Sequence, residues 1–297
     1  MKTKNINYQA ENNKFVFKDY PNLKLGLSTN SFQKAITFNI PGITEIIEYA
    51  SKEGYQFLEI RDVLADLAIE DCKALAGVAK KENIEIIYVI GVHPLDSGFN
   101  EVFERGLANT SLFQGPGFMR TLISNPVFDP DVSKKGWTKE EFAKLTRICE
   151  NCAAKAKAKK IKFIVENLNE AFFGDNLTYF GLADFLNQTT ETNFQLDIGN
   201  LFRNTTRVKN DPDKVMKFLS TLGKRWVETH LKTIQGGEPQ PILTDNPLPV
   251  ERIVDLMGKR NIPYVMLELD TVADKQQCFD NHAACIRFLK DKGILKK

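Results

Sequence analysis

The fold is indicated first by an apolar segment that ends in a carboxylate, Ile161-Lys162-Phe163-Ile164-Val165-Glu166. Its length and its β-branched and aromatic residues are typical of a buried strand. Seven other segments share this character. The eight predicted strands are Lys24–Ser28, Gln56–Arg61, Ile84–Ile90, Phe118–Ile123, Ile161–Glu166, Phe194–Asp197, Trp226–His230 and Tyr264–Glu268. Successive strands start roughly 30 to 40 residues apart, which is the length of one strand–helix unit.

The segments between these strands carry helical signals. Ile43–Glu53 repeats apolar residues every third and fourth position, which predicts an amphipathic helix, and Pro249–Arg260 does the same. Thr138 and Glu141 have the spacing of a capping box, and Asp211-Pro212-Asp213 predicts a helix with proline in its first turn. Strands that alternate with helices favour a parallel sheet, and eight of them favour closure into a single TIM-type (β/α)₈ barrel.

The length of 297 residues fits one such barrel. We predict that residues 1–20 form an N-terminal appendage and that residues 21–297 form the catalytic barrel, because no linker or shift in composition marks a second domain. Two long segments follow predicted strands at the end where barrel active sites lie. Gly91–Gly117, with a short helix over Asn100–Leu107, and Ser124–Gly136 are both expected to form lids or walls over the site.

The composition argues against several classes of partner. The formal net charge is only +2, which gives little attraction to nucleic acids or anionic membranes. Residues 1–13 lack the apolar core of a signal peptide, and no run of about 18 apolar residues occurs. The odd number of cysteines suits a reducing compartment, so we expect a cytoplasmic protein. Cys149 and Cys152 lie within a predicted helix and are interpreted as ordinary helix residues.

Four consecutive predicted strands end in an acid or an imidazole, at Glu166, Asp197, His230 and Glu268. The C-terminal ends of barrel strands meet at one mouth, so these side chains should converge. Three crowded carboxylates repel one another unless a positive charge lies between them. We therefore predict one divalent metal ion; oxygen ligands with one imidazole suit Mn²⁺, Mg²⁺ or Co²⁺, and Zn²⁺ stays open. The alternative is a set of isolated polar groups or a structural ion-pair network.

From about Lys24 to Lys290 the chain resembles the xylose isomerase-like TIM barrels, the family of sugar phosphate isomerases and epimerases. The motifs that carry the resemblance are Gly54-Tyr55-Gln56-Phe57-Leu58-Glu59, Glu166-Asn167, Leu196-Asp197-Ile198-Gly199-Asn200, Asp211-Pro212, His230-Leu231-Lys232 and Glu268. The resemblance implies that Glu166, Asp197, His230 and Glu268 hold the metal. It also implies that Glu166 and Glu268 flank a sugar or sugar phosphate as the two acid–base catalysts. A metal that polarises a carbonyl acidifies the adjacent C–H, so one glutamate would remove that proton and the other would return it to an enediolate.

Four further residues near the predicted mouth are candidate substrate ligands, namely Glu59, His93, Asn200 and Lys232. Glu59 could instead form a rim ion pair with Arg61, His93 could be a loop residue without a role, and Lys232 could point to solvent. Asn200 stands where related epimerases often have histidine. Thr233 and Gly236-Gly237 likewise depart from the Asp and Arg that often follow the His-x-Lys motif, which leaves the predicted metal ligands in place.

Two other functions stay open at this point, and a third is disfavoured. A lyase of the inosose dehydratase kind would use the same metal and the same proton abstraction. A non-catalytic sugar-binding barrel would share the fold, since fold alone does not fix function. A nuclease like endonuclease IV is disfavoured, because that family binds three zinc ions with many histidines and this chain has only three histidines. A homo-oligomer is also left open.

Overall fold

The computed structural model describes residues 14–63, 66–123, 138–167, 182–200, 211–235, 238–245 and 248–296. Eight parallel strands close into a barrel, and a small antiparallel hairpin lies between the last two of them. The barrel strands, in their order around the barrel, are β1 (Lys24–Ser28), β2 (Phe57–Arg61), β3 (Glu85–Val89), β4 (Phe118–Ile123), β5 (Lys162–Asn167), β6 (Asn193–Asp197), β7 (Trp226–Leu231) and β10 (Tyr264–Leu267). The hairpin pairs β8 (Ile234–Gln235) with β9 (Glu238–Pro239). The predicted (β/α)₈ barrel is confirmed, and each predicted strand boundary lies within one residue of the observed one.

Helices alternate with the barrel strands, as the sequence predicts. A short 3₁₀ turn over Thr29–Phe32 follows β1. The helices of the described residues are α1 (Ile40–Glu53), α2 (Ile69–Lys81), α3 (Phe99–Thr110), α4 (Lys139–Ala158), α5 (Leu182–Gln188), α6 (Pro212–Thr221), α7 (Val250–Lys259) and α8 (Lys275–Asp291). None of them is long and apolar enough to cross a membrane.

Local hydrogen bonds explain where several helices begin. The hydroxyl of Thr138 accepts from the backbone N–H of Glu141, and the Glu141 carboxylate accepts from the N–H of Thr138, so the predicted capping box starts α4. The Asp211 carboxylate accepts from the N–H of Lys214 at the start of α6, with Pro212 in the first turn. The two predicted helix starts are therefore confirmed.

The structure corrects the prediction of a long lid over Gly91–Gly117. The short helix predicted over Asn100–Leu107 is confirmed as the longer α3, which packs against β3 and β4 like the other barrel helices. Gly106 explains the misreading, because a Cβ at this position would come within 2.4 Å of the Ile90 side chain. This glycine lets the helix approach the barrel closely rather than marking a loop. The second expected lid, Ser124–Gly136, lies outside the described residues.

The barrel interior is apolar below and polar at the mouth. A separate group of apolar residues forms the lower layer, namely Phe57, Ile87, Phe118, Ile164, Val227, Tyr264 and Met266. Side chains two positions apart on a strand share a face. The inward-facing residues Glu59, Arg120, Glu166 and Glu268 therefore lie one step nearer the C-terminal ends of their strands, directly above this apolar floor. The alternation of the strands thus places a polar layer at the mouth.

The segment before β1 packs against the barrel. Phe15 and Phe17 are buried, and the backbone of Phe17 bridges to Leu295 near the end of the chain. The hydroxyl of Tyr20 donates to Asp255 on α7. This part of the predicted appendage, residues 14–20, is thus joined to the barrel by its own side chains, whereas residues 1–13 lie outside the described residues.

All five cysteines are free and buried. Cys149 and Cys152 lie within α4 and belong to the hydrophobic core. Burial raises the pKa of the Cys152 thiol to about 12, so this thiol stays protonated at neutral pH. The pair therefore serves as core packing in the described structure.

Candidate metal centre

The four residues at the ends of β5, β6, β7 and β10 converge at the mouth of the barrel. Glu166, Asp197, His230 and Glu268 are all buried, and each offers a ligand atom within 4.8 Å of the others. His230 Nδ1 lies 2.7 Å from Glu268 Oε2, 3.7 Å from Glu166 Oε1 and 3.9 Å from Asp197 Oδ2. One imidazole nitrogen thus faces three carboxylates contributed by three other strands.

Two cationic side chains contact the same carboxylates. Arg120, on β4, contacts Glu166 through Nη1 and lies 2.6 Å from Glu59 Oε2 through Nη2. Lys232, just after β7, places Nζ 2.8 Å from Asp197 Oδ2 and 3.0 Å from Glu268 Oε2. Unpaired buried charges are costly, so these tethered cations help to keep the acidic residues assembled.

The pKa shifts follow from this balance of charges. Burial opposes ionisation of Glu268, but Lys232 and His230 hold its pKa well below the usual range. Burial also disfavours a charged His230 ring, yet Glu59 and Glu268 raise its pKa to about 9. Burial raises the pKa of Glu59, but Arg120 and His230 outweigh it and lower that pKa to about 2. Glu59 and Glu268 are thus held ionised at neutral pH.

A second acidic group shares His230 with the first. Glu59, Glu228 and His230 also offer ligand atoms within 4.8 Å of one another, with Glu59 Oε2 3.4 Å from His230 Nε2. Neither carboxylate oxygen of Glu228 has a hydrogen-bond partner within the described residues. Burial and the neighbouring Glu59 raise the pKa of Glu228 to about 8, so this acid is largely protonated at neutral pH. Gln195, opposite Glu228 on β6, likewise lacks a partner among the residues described.

The first set, Glu166, Asp197, His230 and Glu268, fits a divalent cation. Three carboxylates and one imidazole form the mixed oxygen and nitrogen donor set that Mn²⁺, Mg²⁺, Co²⁺ or Zn²⁺ accepts, and their ligand atoms lie within 4.8 Å of one another.

Hydrogen bonds from neighbouring residues orient the ligands. The side-chain amide of Asn30 donates to Glu268 Oε1 at 2.7 Å. The N–H of Asn200 donates to Asp197 Oδ1 at 2.9 Å. Asn167 fixes the backbone of Asp197 through both its amide oxygen and its amide nitrogen.

The other candidate substrate ligands have protein partners in the structure. Glu59 is fully buried and contacts Arg120, His230 and the Ser28 hydroxyl, so it is not paired with Arg61. His93 is buried in the loop after β3, where its Nδ1 accepts from the N–H of Leu95. Asn200 and Lys232 both touch Asp197, which places them beside the centre.

Sequence reasoning missed three residues of this mouth. Arg120 interrupts the apolar strand Phe118–Ile123, which was an available signal for a buried ion pair. Glu228 lies two positions before His230 and therefore shares its inward face. Asn30 carried no signal, because its contact with Glu268 depends on how β1 and β10 come together.

No protein-family model and no curated protein matches this chain. Solved structures do. A sugar phosphate isomerase/epimerase from Parabacteroides distasonis matches with a TM-score of 0.66 and 14% identity, over 90% of this chain and 96% of that one. A D-psicose 3-epimerase from Clostridium cellulolyticum, solved with D-tagatose, matches with a TM-score of 0.64 and 15% identity, over 91% and 99% of the two chains.

Two further structures widen the comparison. A xylose isomerase-like TIM barrel protein from Mycobacterium smegmatis, solved with magnesium, gives a TM-score of 0.61 at 13% identity over 91% and 97% of the two chains. A structure described as an AP endonuclease, family 2, from Brucella melitensis gives 0.60 at 11% identity over 91% and 98%. At such identities the likeness concerns the fold and does not distinguish sugar enzymes from nucleases. The chain thus has the fold of the xylose isomerase-like TIM barrels.

Proposed function

We propose that this protein is a divalent-metal-dependent isomerase or epimerase of a sugar or sugar phosphate. The observation that carries the proposal is the convergence of three carboxylates and one imidazole at the barrel mouth. A bound metal ion would polarise a substrate carbonyl and acidify the adjacent C–H. In this proposal the metal is Mn²⁺, Mg²⁺ or Co²⁺, with Zn²⁺ as a further option, and the enzyme acts in cytoplasmic carbohydrate metabolism.

Glu166 and Glu268 would carry out the two proton transfers. They come from β5 and β10, which are separated by β6 and β7 around the barrel, so they approach the centre from different sides. Arg120 holds one oxygen of Glu166, and Asn30 with Lys232 holds both oxygens of Glu268. An ionised carboxylate held in this way would be positioned to accept a proton from carbon. Proton return to the opposite face gives an epimer, and return to the neighbouring carbon gives an aldose–ketose isomer.

Two measurements test this proposal together. Metal analysis of the purified protein reports the ion, and incubation with a panel of sugars in deuterated water reports proton abstraction through exchange at carbon. We expect Glu166→Gln and Glu268→Gln to abolish interconversion of the sugars while the fold is retained. We expect His230→Ala to lower the metal content. Glu251→Gln, an exposed acid on α7, is the matched control and should behave as wild type. Wild-type rates of interconversion in either of the first two variants would refute the two-base scheme.

A dehydratase of the inosose dehydratase kind is the main alternative. The donor set is the same for both reactions, so product mass separates them: a dehydratase releases a product lighter by one water, and an isomerase does not. A non-catalytic sugar-binding barrel would bind metal and sugar without exchange over the whole panel.

The histidines argue against a multi-zinc nuclease. His282 stacks on Phe32 in the core, with ring centroids 5.1 Å apart, and His93 is held in the loop after β3. His230 is thus the only one of the chain's three histidines at the centre, which is too few for a histidine-rich cluster of three zinc ions. Cleavage of abasic DNA would overturn this conclusion.

A further inference from the structure

Two cations on the β1–β2 side of the mouth have no acidic partner among the described residues. Arg61 ends β2, and its Nη1 donates to Asn30 Oδ1 at 2.7 Å. Lys34 follows the turn after β1, and its Nζ donates to the carbonyl of Thr271 at 3.4 Å. Both acceptors are neutral oxygens.

The other cations at the mouth, by contrast, contact carboxylates. Arg120 contacts Glu59 and Glu166, while Lys232 contacts Asp197 and Glu268. The charges of those two side chains are therefore balanced within the protein. Arg61, which is partly exposed, keeps its charge and its remaining N–H donors available for a ligand.

The position of Arg61 relative to the centre is fixed by one residue. The amide oxygen of Asn30 accepts from Arg61, and its amide nitrogen donates to Glu268 Oε1, both at 2.7 Å. The guanidinium therefore lies one amide group away from a predicted metal ligand. A small sugar whose carbonyl end lies over Glu268 could reach Arg61 with its far end.

The loop that carries Lys34 is fastened to the same side. The N–H of Lys34 donates to the hydroxyl of Thr271, and the N–H of Leu269 donates to the hydroxyl of Ser31. The loops after β1 and after β10 are thus joined beside Glu268. This places the backbone of Lys34 at the rim, from which its exposed and flexible ammonium can turn toward a bound anion.

We propose that Arg61 and Lys34 form an anion subsite, which takes a carboxylate or phosphate group carried by the substrate at the end opposite its reacting carbonyl. The inference rests on the proposed function above and narrows its substrate class to anionic sugar derivatives. Arg61 is the main ligand, because a guanidinium can bind two oxygens of a carboxylate or phosphate at once.

Binding measurements with three probes test the subsite. The probes are a neutral ketohexose, the same ketohexose phosphorylated at carbon 6, and a hexuronate, each titrated by calorimetry into the Mn²⁺-loaded protein. We expect one of the two anionic probes to bind at least about tenfold more tightly than the neutral ketose, and the tighter one identifies the anion. Arg61→Met should remove that preference and change the affinity for the neutral ketose by less than about threefold. Lys34→Met should reduce the preference more weakly, and Arg61→Lys should retain part of it.

Lys224→Met, at an exposed position before β7 and thus at the opposite end of the barrel, is the matched control and should keep the full preference. Equal affinity of the wild type for all three probes would overturn the subsite, and so would equal losses for neutral and anionic probes in Arg61→Met. The latter result would mean that Arg61 only positions Asn30.

A second titration separates this proposal from the proposed function. Inorganic phosphate added with a chelator should stabilise the wild type against heat and should not stabilise Arg61→Met. Such protection without any exchange at carbon would support the anion subsite and contradict the proposed isomerase activity. Exchange with neutral sugars, with no protection by phosphate and no preference for either anionic probe, would support the isomerase activity and contradict the anion subsite.

Discussion

The Lys232 ammonium lies 2.8 Å from Asp197 Oδ2, on a carboxylate that we assign to the metal. The same nitrogen lies 3.0 Å from Glu268 Oε2. Burial disfavours a charged Lys232, but Asp197 and Glu268 raise its pKa above the usual range, so it stays cationic. A divalent ion bound to these oxygens must compete with, and be repelled by, this fixed charge.

Lys232→Met is therefore expected to increase the affinity for Mn²⁺ by about tenfold, or 1.4 kcal/mol. The metal-free variant should also unfold at a lower temperature, because Asp197 and Glu268 lose a counter-ion. Calorimetric titration and thermal unfolding with a chelator measure the two effects. Lys224→Met should leave both unchanged. Equal Mn²⁺ affinity in Lys232→Met and wild type would show that the lysine does not compete with the ion.

Gly199 provides the space for the backbone of Lys232. A Cβ at Gly199 would lie 2.8 Å from the Cβ of Lys232 and 2.9 Å from its carbonyl oxygen. Gly199→Ala should destabilise the protein by about 1–3 kcal/mol, since backbone and Cβ atoms cannot easily give way. Gly223→Ala is the matched control, because its Cβ would have no neighbour within 4 Å. Urea denaturation compares the two, and equal stability of both variants would contradict the predicted clash.

Arg120 balances two buried carboxylates, Glu59 and Glu166. Arg120→Met should destabilise the protein by about 3–5 kcal/mol, because it leaves buried charge without a partner. Adding Glu59→Gln to that variant should restore part of the loss, since the two residues are directly coupled. The free energies of unfolding of the wild type, both single variants and the double variant together form a double-mutant cycle, which gives the coupling energy of the pair. Additive losses would mean that the pair contributes no coupling energy.

Glu228 should make the stability depend on pH. Its pKa is about 8 in the folded state against 4.5 for an ordinary glutamate, so the folded protein keeps a proton that the unfolded chain releases between these values. The free energy of unfolding should therefore fall as pH rises from about 4.5 to 8. The side chain introduced by Glu228→Gln cannot ionise. The free energy of unfolding of this variant, relative to that of the wild type, should therefore increase by on the order of 2 kcal/mol between pH 6 and pH 8. Urea denaturation with a chelator at several pH values measures this, and parallel pH curves would contradict it.

The barrel and its mouth were predictable because both depend on local pattern. Each strand is a short apolar run, and the four predicted ligands each lie at or just beyond the end of such a run, so position along the chain alone predicted where they would meet. The strand boundaries agree to within one residue for the same reason.

The charge balance of the centre was not predictable in this way. Arg120 neutralises Glu59 and Glu166, which lie 61 positions before it and 46 positions after it in the chain. Arg61 and Glu59 looked like partners because they are close in sequence, but the structure joins Arg61 to Asn30 instead. Pairings of this kind depend on the order of strands around the barrel, which a pattern of apolar residues does not encode.

The apolar floor beneath the polar layer ties the arrangement of the charged side chains at the mouth to the register of strand pairing. Phe57 and Glu59, Phe118 and Arg120, and Met266 and Glu268 each occupy the same inward face two positions apart. A slip of one residue in any of these strands would turn its charged side chain outward against the apolar helices and leave it without its counter-ion. Barrels with a misaligned strand are thereby strongly destabilised. The ionic residues of the mouth therefore also favour the correct strand register during folding.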